Sequence, residues 1–516
     1  MMPNIIAEMF LVSIHNKFRN SALERNSDMK QKSLGVNALL NGIKQCCSII
    51  FPLITFPYIS RVLGSDGYGK YSFSNSVTNY FVLLAALGIY TYAIREGAKI
   101  RDDQKSINQF CSQIFSINVC SSVISLLLLF AMVFFLPKFS GYKVYIFIQS
   151  TAIVMAAVGP DWVNGIYEDY FFITIRYIAV QCVCLFAMFI FVRNPEDIIP
   201  YCVISVLATN GGNLINVFYI RKYVKIRFIF NMNLKKHLVP LLILFANSIA
   251  ITIYVNSDIT MLGFFESDGQ VGIYSFASKI YNLLKQLINA VIVVSVPRIA
   301  YVVNNKPTEY KTFINKIFAA LNILLIPIIV GMFCMSDSMI LLAGGEQYIS
   351  GNISLKILSV ATLFAIYASL FTNCVLIVNR QEKFCLKATI ISAIVNVGLN
   401  FVMIPWLGMI GSAITTVIAE FVNCVMQIHF SKPFFDWRKL DIKPVISCVC
   451  GSNMIGVVCM ICNRSFDSSL LKMISTVLIS AVVYMCTLIV MKNPYAQEFV
   501  WIIVGKTKNL IIKYKN

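Results

Sequence analysis

The residues able to do chemistry in this chain are lysines set among amides inside runs of otherwise apolar sequence. Asn37, Asn41, Lys44, Gln45 and Ser48 fall, at 100° per residue, within an arc of roughly 100° on one helical face. Ser275, Ser278, Lys279, Asn282, Lys285, Gln286 and Asn289 occupy roughly 120° of another. Ile280, Leu283, Leu284, Leu287 and Val291 cover the rest of that second helix. An amine exposed to lipid at mid-bilayer costs roughly 2.5 kcal/mol or more, so such lysines turn inward, where they are hydrated or paired. Lysine is a compact point charge suited to phosphate. The expected substrate-binding set is therefore Lys44, Asn41 and Gln45 with Lys279, Asn282, Lys285 and Gln286, forming a cationic pocket for a phosphate or diphosphate. The competing structural reading is that Asp258 or Glu420 neutralises the lysines. Either carboxylate is also a candidate to bind a coupling proton or sodium ion.

Other chemistries find no support. Gly64, Gly69 and Lys70 satisfy the first seven positions of a phosphate-binding loop, but Tyr71 stands where the magnesium-binding Ser or Thr belongs, and no soluble strand precedes it. His15, His237 and His429 are isolated and read as interfacial. The sixteen cysteines lie mostly in apolar runs without zinc-site spacing, so neither metal nor other cofactor is expected. The net charge of +19 is not gathered into a basic, aromatic-rich patch, which argues against nucleic acid.

The elements that must position these residues are membrane helices. The 516 residues are 58% hydrophobic and only 13% charged, against roughly 25% charged in soluble domains. A bilayer core of about 30 Å takes roughly 20 apolar residues per helix. Apolar runs predict about fourteen spans: 34–58, 73–94, 108–136, 141–159, 170–192, 198–220, 237–265, 271–298, 311–335, 352–378, 384–403, 408–430, 443–462 and 470–491. Pro52, Pro57 and Pro327 are expected to bend their helices. With the amino terminus inside, 32 of the 43 Lys and Arg fall on the cytoplasmic side and 8 on the other. That bias puts both termini in the cytoplasm. The expected division is a tail over 1–33, whose start is open to doubt as a translation start, a six-helix lobe over 34–220, and a basic cytoplasmic hinge over 221–236. A second six-helix lobe follows over 237–430, then helices 13 and 14 over 431–491 and a tail over 492–516. The hinge is expected to lie on anionic lipid.

The chain also repeats itself. Ser65-Asp66-Gly67-Tyr68-Gly69-Lys70-Tyr71-Ser72-Phe73 returns as Ser267-Asp268-Gly269-Gln270-Val271-Gly272-Ile273-Tyr274-Ser275-Phe276, and beyond one inserted residue the offset is 203, with Asn79 falling on Asn282. An offset spanning six helices leaves the two halves in the same orientation, as in transporters that rock about a central site.

Phe56 through Gly64, with Arg61 inside it, then Gly67-Tyr68-Gly69-Lys70-Tyr71-Ser72-Phe73, and Gly88-Ile89 through Arg95-Glu96, resemble bacterial polysaccharide flippases of the Wzx type. So do Asp161-Trp162-Val163-Asn164-Gly165-Ile166-Tyr167-Glu168 with Arg176, and Gly272-Ile273-Tyr274-Ser275-Phe276-Ala277 with Pro297-Arg298. These flippases belong to the multidrug/oligosaccharidyl-lipid/polysaccharide exporter superfamily. The resemblance implies an all-α, V-shaped exporter fold of two pseudo-symmetric lobes in the bacterial cytoplasmic (inner) membrane. It also implies flipping of undecaprenyl-diphosphate-linked oligosaccharide, with Lys44, Lys279 and Lys285 meeting the diphosphate or acidic sugars and the polysaccharide assembly machinery as partner. The alternatives are an ion-coupled exporter of drugs or other amphiphiles on the same fold, and a membrane polymerase or ligase. The last would call for a large outer loop that these spans leave no room for.

Overall fold

A computed structural model of the chain describes residues 34–497 apart from 436, 437, 439 and 467, and side chains from residue 40 onward. The 1–33 tail, most of the carboxy-terminal tail, His15 and the Asn37 side chain lie outside the described residues. Within them every regular element is helical. Intrachain backbone bonding is what an apolar run must adopt where no water can serve its N–H and C=O groups.

The helices are α1 Leu34–Ala86, α2 Ile89–Gly97, α3 Gln104–Phe135, α4 Lys143–Val158, α5 Trp162–Ile166, α6 Tyr170–Phe191 and α7 Ile198–Tyr219. Then follow α8 Leu234–Phe265, α9 Asp268–Asn305, α10 Pro307–Ala343, α11 Asn352–Phe371, α12 Glu382–Ser431, α13 Lys443–Ser465 and α14 Ser469–Val490. Twelve helical stretches among the described residues are long and apolar enough to cross a membrane. Two of them are double. A 53-residue α1 would be about 80 Å long if straight. It is broken at Gly64, whose φ of 71° and ψ of 175° no helix tolerates. The 50-residue α12 breaks likewise at Gly408, with φ 53° and ψ −130°. Each break turns one stretch into two crossings, here α1a (34–63) and α1b (65–86), and α12a (382–407) and α12b (409–431). The expected fourteen crossings result.

Several boundaries move. The second span was expected to run to 94, but Leu87 and Gly88 both have positive φ, ending α1 at Ala86 and starting the separate α2. The expected stop of the eighth span at 298 is overrun, because α9 carries Pro297 inside it and continues to Asn305. Pro52, Pro57 and Pro327 also sit within continuous helices, so the sharp breaks belong to glycine.

The two repeat copies meet. A Cβ on Gly69 would lie 1.8 Å from the carbonyl oxygen of Asp268, and one on Gly272 would lie 1.9 Å from that of Ser65. The two contacts are equivalent when seen from either half, since each glycine meets the carbonyl four residues before the other glycine. α1b and α9 thus cross backbone to backbone, a close approach that small residues allow in membranes. Around this crossing the lobes are sewn together at the Gly64 end. Phe56 stacks on Phe276 at 4.7 Å, and Phe276 on Tyr348 at 4.4 Å. Tyr348 Oη donates to the Ser60 carbonyl at 3.2 Å, Arg61 to that of Leu342, and Tyr142 Oη to Asp268. α13 and α14 stand outside the second lobe against α10, with Tyr484 Oη donating to the Ile323 carbonyl at 3.0 Å.

Candidate functional site: a polar cavity between the lobes

Directly beneath the glycine crossing the lobes separate around a cavity of about 480 Å³. α1a brings Pro52, Thr55 and Phe56 to it, α4 Gln149, α6 Gln181, α7 Tyr201, Ser205, Thr209 and Asn210, and α8 Asn256 and Ile259. The main walls are α1b and α9, and here the repeat becomes functional geometry. Ser72 and Ser275, Asn75 and Ser278, Ser76 and Lys279, and Asn79 and Asn282 are four pairs at the offset of 203, and all eight residues line the cavity. The duplicated helix therefore presents its polar face twice, once from each side. The one departure is electrostatic. Where the first lobe offers the hydroxyl of Ser76, the second offers the ammonium of Lys279, the only charged side chain in the lining among the described residues.

Lys279 makes no ion pair or hydrogen bond among the described residues. Asn282 beside it donates to the Ser278 carbonyl at 2.9 Å, which fixes its amide along the helix. Across the cavity Tyr71 Oη and Ser205 Oγ share a hydrogen bond of 2.6 Å, and Gln149 reaches Ser74 Oγ at 3.2 Å. Among the described residues the site thus carries one positive charge and no carboxylate, with hydroxyls and amides interspersed among apolar side chains such as Phe56, Val82, Leu185 and Met188. That composition favours a polyhydroxylated anion over a cation.

The remaining sequence candidates fall elsewhere. Lys44 is half-buried with its ammonium 5.7 Å from the Tyr177 ring, while Asn41, Gln45 and Gln286 are exposed, and none of the four lines the cavity. Lys285 turns away from it into the second lobe. There its Nζ lies 3.3 Å from Glu420 Oε1, which also accepts Tyr281 Oη at 3.0 Å. Of the two readings open for these residues, neutralisation describes Lys285 and a free cavity amine describes Lys279.

Asp258 is buried between α8, α9 and both arms of α12. Its carboxylate accepts Asn400 Nδ2 at 2.7 Å, Tyr274 Oη at 2.8 Å and Thr416 Oγ1 at 2.5 Å. Asn396 Oδ1 accepts Ser257 Oγ at 2.7 Å in the same cluster, and Thr415 Oγ1 donates to Asn400 Oδ1 at 2.5 Å. No basic group pairs with it among the described residues. One carboxylate among neutral oxygens is a donor set for a proton or a small hard cation. No group of three or more His, Cys, Asp or Glu suited to a metal occurs among the described residues.

The motif residues hold the frame. Gly64 makes the α1 break, and Gly67 packs against Leu63, Ile198 and the Pro195 carbonyl. Arg95 pairs with Glu96 at 3.0 Å and Glu168 with Arg101 at 2.9 Å, while Trp162 is buried under α2. Pro297 lies within α9, and Arg298 stands 5.1 Å from the Phe313 ring. His237, on the first turn of α8, is buried and bonded to Tyr92 Oη at 2.8 Å and Gln113 Oε1 at 3.0 Å. Sequence reasoning missed the lining from α4, α6 and α7. Its signal was present in Gln149, Gln181, Ser205, Thr209 and Asn210, polar residues recurring in otherwise apolar spans.

Residues 34–303, just over half the chain, match the polysaccharide biosynthesis protein family. An Escherichia coli (strain K12) protein that carries the provisional name O-antigen transporter is 25% identical over 414 residues, covering 77% of this chain and 96% of that one. Capsular polysaccharide biosynthesis protein CapF of Staphylococcus aureus is 22% identical over 416 residues, 78% of this chain and 100% of CapF. Among solved structures, the lipid II flippase MurJ in an inward closed conformation superposes with a TM-score of 0.69 at 15% identity, over 90% of this chain and 99% of that one. An inward-facing multidrug resistance transporter of the MATE family superposes with a TM-score of 0.57 at 13% identity, over 77% of this chain and 94% of its own. The helical lobes, the crossing glycines and these matches agree: this multi-pass membrane protein belongs to the polysaccharide biosynthesis protein family, as a Wzx-type member of the multidrug/oligosaccharidyl-lipid/polysaccharide exporter superfamily.

Proposed function

We propose that this protein carries undecaprenyl-diphosphate-linked oligosaccharide repeat units from the cytoplasmic to the outer leaflet of the bacterial inner membrane, for surface polysaccharide assembly. The observation that carries the reading is Lys279, an ammonium without a counter-charge among the described residues, in a cavity whose polar groups are hydroxyls and amides from both lobes and whose remaining wall is apolar. A diphosphate supplies the matching negative charge, and sugar hydroxyls match the neutral polar groups. The relatives named for O-antigen transport and capsular polysaccharide biosynthesis, and the fold shared with a lipid II flippase, support a lipid-linked glycan as cargo.

Transport is by alternating access. The two lobes are joined at the Gly64 end by the glycine crossing and by the aromatic stack and hydrogen bonds around it, so opening on that side requires the crossing and these contacts to be released together. In this reading the Gly64 end faces outside and the termini and the 221–236 segment face the cytoplasm, which the excess of Lys and Arg on that side supports. The cavity is thus sealed from outside in this conformation. Asp258 is the site for a coupling proton or sodium ion. Tyr274 ties it directly to α9, the helix that bears Lys279, so its occupancy can bear on the cavity. Glu420 serves instead as the fixed counter-charge of Lys285. The relative named for O-antigen transport and the fold shared with a lipid II flippase support the role of a carrier.

The test is deletion of the gene, with surface polysaccharide measured after complementation. Wild type is expected to restore it and Lys279→Ala is not, with Lys279→Arg intermediate. Full restoration by Lys279→Ala at normal expression overturns the assignment. Unchanged polysaccharide on deletion, with dye efflux lost, favours the drug-exporter alternative.

A further inference from the structure

Between α7 and α8 the chain has no regular structure from 224 to 233, yet it is not a loose connection. The backbone N–H groups of Lys225, Arg227 and Ile229 donate to Asn108 Oδ1 at 2.8 Å, Ser112 Oγ at 3.2 Å and Ser116 Oγ at 2.8 Å. The spacings match: residues four apart on a helix are about 6 Å apart along its axis, and alternate residues of an extended chain about 6.6 Å. The Ser112 and Ser116 hydroxyls are oriented by donating to the Asn108 and Ser112 carbonyls. Gln104 adds a bond to the Tyr223 carbonyl at 3.0 Å. The expected hinge is therefore a strap laid along α3. Beyond it, His237 pins the start of α8 to the first lobe through Tyr92 and Gln113.

Pinning alternate N–H groups fixes which side chains face out. Val224 is buried against the first lobe, while Lys225 and Arg227 are exposed. Phe228 and Phe230 follow, the latter 90% exposed, with their rings edge to face at 5.3 Å. Lys235 and Lys236 are exposed on the first turn of α8. Residues 220–239 hold six basic residues and no Asp or Glu. The acids at this end of the first lobe are mostly engaged: Glu96 by Arg95 and Lys99, Asp103 by Ser106 and the Lys105 amide, Glu168 by Arg101 and Asp169 by Lys222, with exposed Asp102 the exception. Lys225, Arg227, Lys235 and Lys236 form no ion pair among the described residues.

We infer that the strap is a binding site for anionic phospholipid, its two phenyl rings entering the boundary between headgroups and acyl chains while these four basic side chains hold the phosphodiesters. Rings exposed on a rigid backbone beside unpaired basic groups are the arrangement by which a peripheral segment holds an acidic leaflet. The inference rests on the strap alone and stands whatever the cavity carries.

The test uses the full chain reconstituted in phosphatidylcholine vesicles in which a fifth of the lipid is brominated, either phosphatidylglycerol or phosphatidylcholine. A Phe230→Trp variant is compared with its parent, so that the difference isolates the added fluorophore. Brominated phosphatidylglycerol is expected to quench it at least twofold more strongly than brominated phosphatidylcholine. The preference is expected to vanish in the Lys225→Gln/Arg227→Gln/Lys235→Gln/Lys236→Gln protein, and in molar salt, where the Debye length falls to about 3 Å. Equal quenching by the two lipids, quenching by neither, or a preference surviving the four substitutions each overturns the assignment. Because all four groups are exposed, the variant is expected to keep the parent's unfolding temperature, which separates loss of lipid selection from loss of fold.

Discussion

Substituting alanine for Gly69 or Gly272 probes the closure at the Gly64 end. The new methyl on position 69 would lie 1.8 Å from the Asp268 carbonyl oxygen, about 1.6 Å short of where ordinary contact begins at 3.4 Å. The obstacle is backbone, so α1b and α9 must move apart rather than a side chain swing aside. Overpacking of this kind costs roughly 1–3 kcal/mol. On the proposed alternating-access cycle the cost falls on the closed arrangement alone, because opening of the outer side would part the two helices there. At about 1.4 kcal/mol per factor of ten, the closed state loses about 5- to 150-fold in population relative to the open one. The assay is the rate at which a membrane-impermeant thiol reagent, added from outside, labels Asn75→Cys in the cavity wall, read at that peptide by mass spectrometry so that the native cysteines stay. Gly69→Ala and Gly272→Ala are each expected to speed labelling at least fivefold, and the double variant by less than the product, since both act on one crossing. Gly269→Ala is the control. Its methyl would meet chiefly the movable carboxylate of Asp66 at 2.8 Å and is expected to leave the rate unchanged. Wild-type labelling by correctly inserted Gly69→Ala and Gly272→Ala proteins, or equal acceleration by Gly269→Ala, would refute the reasoning.

Three further outcomes are expected. Lys285→Gln leaves Glu420 buried without its cation and is expected to cost about 3–5 kcal/mol. Glu420→Gln, which leaves the half-buried lysine a route to solvent, should cost less, and the double variant less than the sum; additive losses in thermal unfolding would show that the pair is not coupled. Asp258→Asn is expected to abolish any dependence of transport on a proton or sodium gradient in reconstituted vesicles while leaving headgroup binding intact, and a retained gradient response would remove Asp258 from the coupling role. Ser112→Ala with Ser116→Ala strips two acceptors worth about 1 kcal/mol each, so amide exchange at Arg227 and at Ile229 should each quicken by about fivefold. Unchanged protection there would mean that the strap is held otherwise.

How much of this was written in the sequence differs residue by residue. Asn282 was legible because two independent signals coincide on it, the polar face of a helix and the repeat at offset 203, and Lys279 was legible as the amine on the same face of that helix. Lys44 shares the first signal and lacks the second. Helical periodicity gives direction around an axis but not height along it, and Lys44 lies eight residues, about 12 Å, below Pro52 where the lining of α1a begins. Lys285 shows the opposite limit. Six residues from Lys279 it is rotated by about 120°, so a polar stripe of that width faces the cavity at one edge and the α12 carboxylate at the other. Which carboxylate it would find depended on packing between distant spans, which no local pattern encodes. The strap was hidden for a related reason. Asn108, Ser112 and Ser116 look like small polar residues diluted in an apolar helix, and their function emerges only when a backbone 113 to 117 residues away lies against them. The crossing glycines, by contrast, were visible as the polar identities of the repeat, because their role is the symmetry itself.

The central claim is that Lys279 binds the anionic headgroup of a polyprenyl-linked substrate, and the most direct measurement is equilibrium binding to the full-length protein in nanodiscs, comparing undecaprenyl diphosphate, undecaprenyl phosphate and undecaprenol. A charge-assisted bond of about 1.5–3 kcal/mol corresponds to roughly 10- to 150-fold in affinity. The expected result is tighter binding of the diphosphate than of the monophosphate or the alcohol, with Lys279→Gln weakening the diphosphate at least tenfold and leaving the alcohol unchanged. Equal binding of the three lipids, or an unaltered diphosphate affinity in Lys279→Gln, would contradict it.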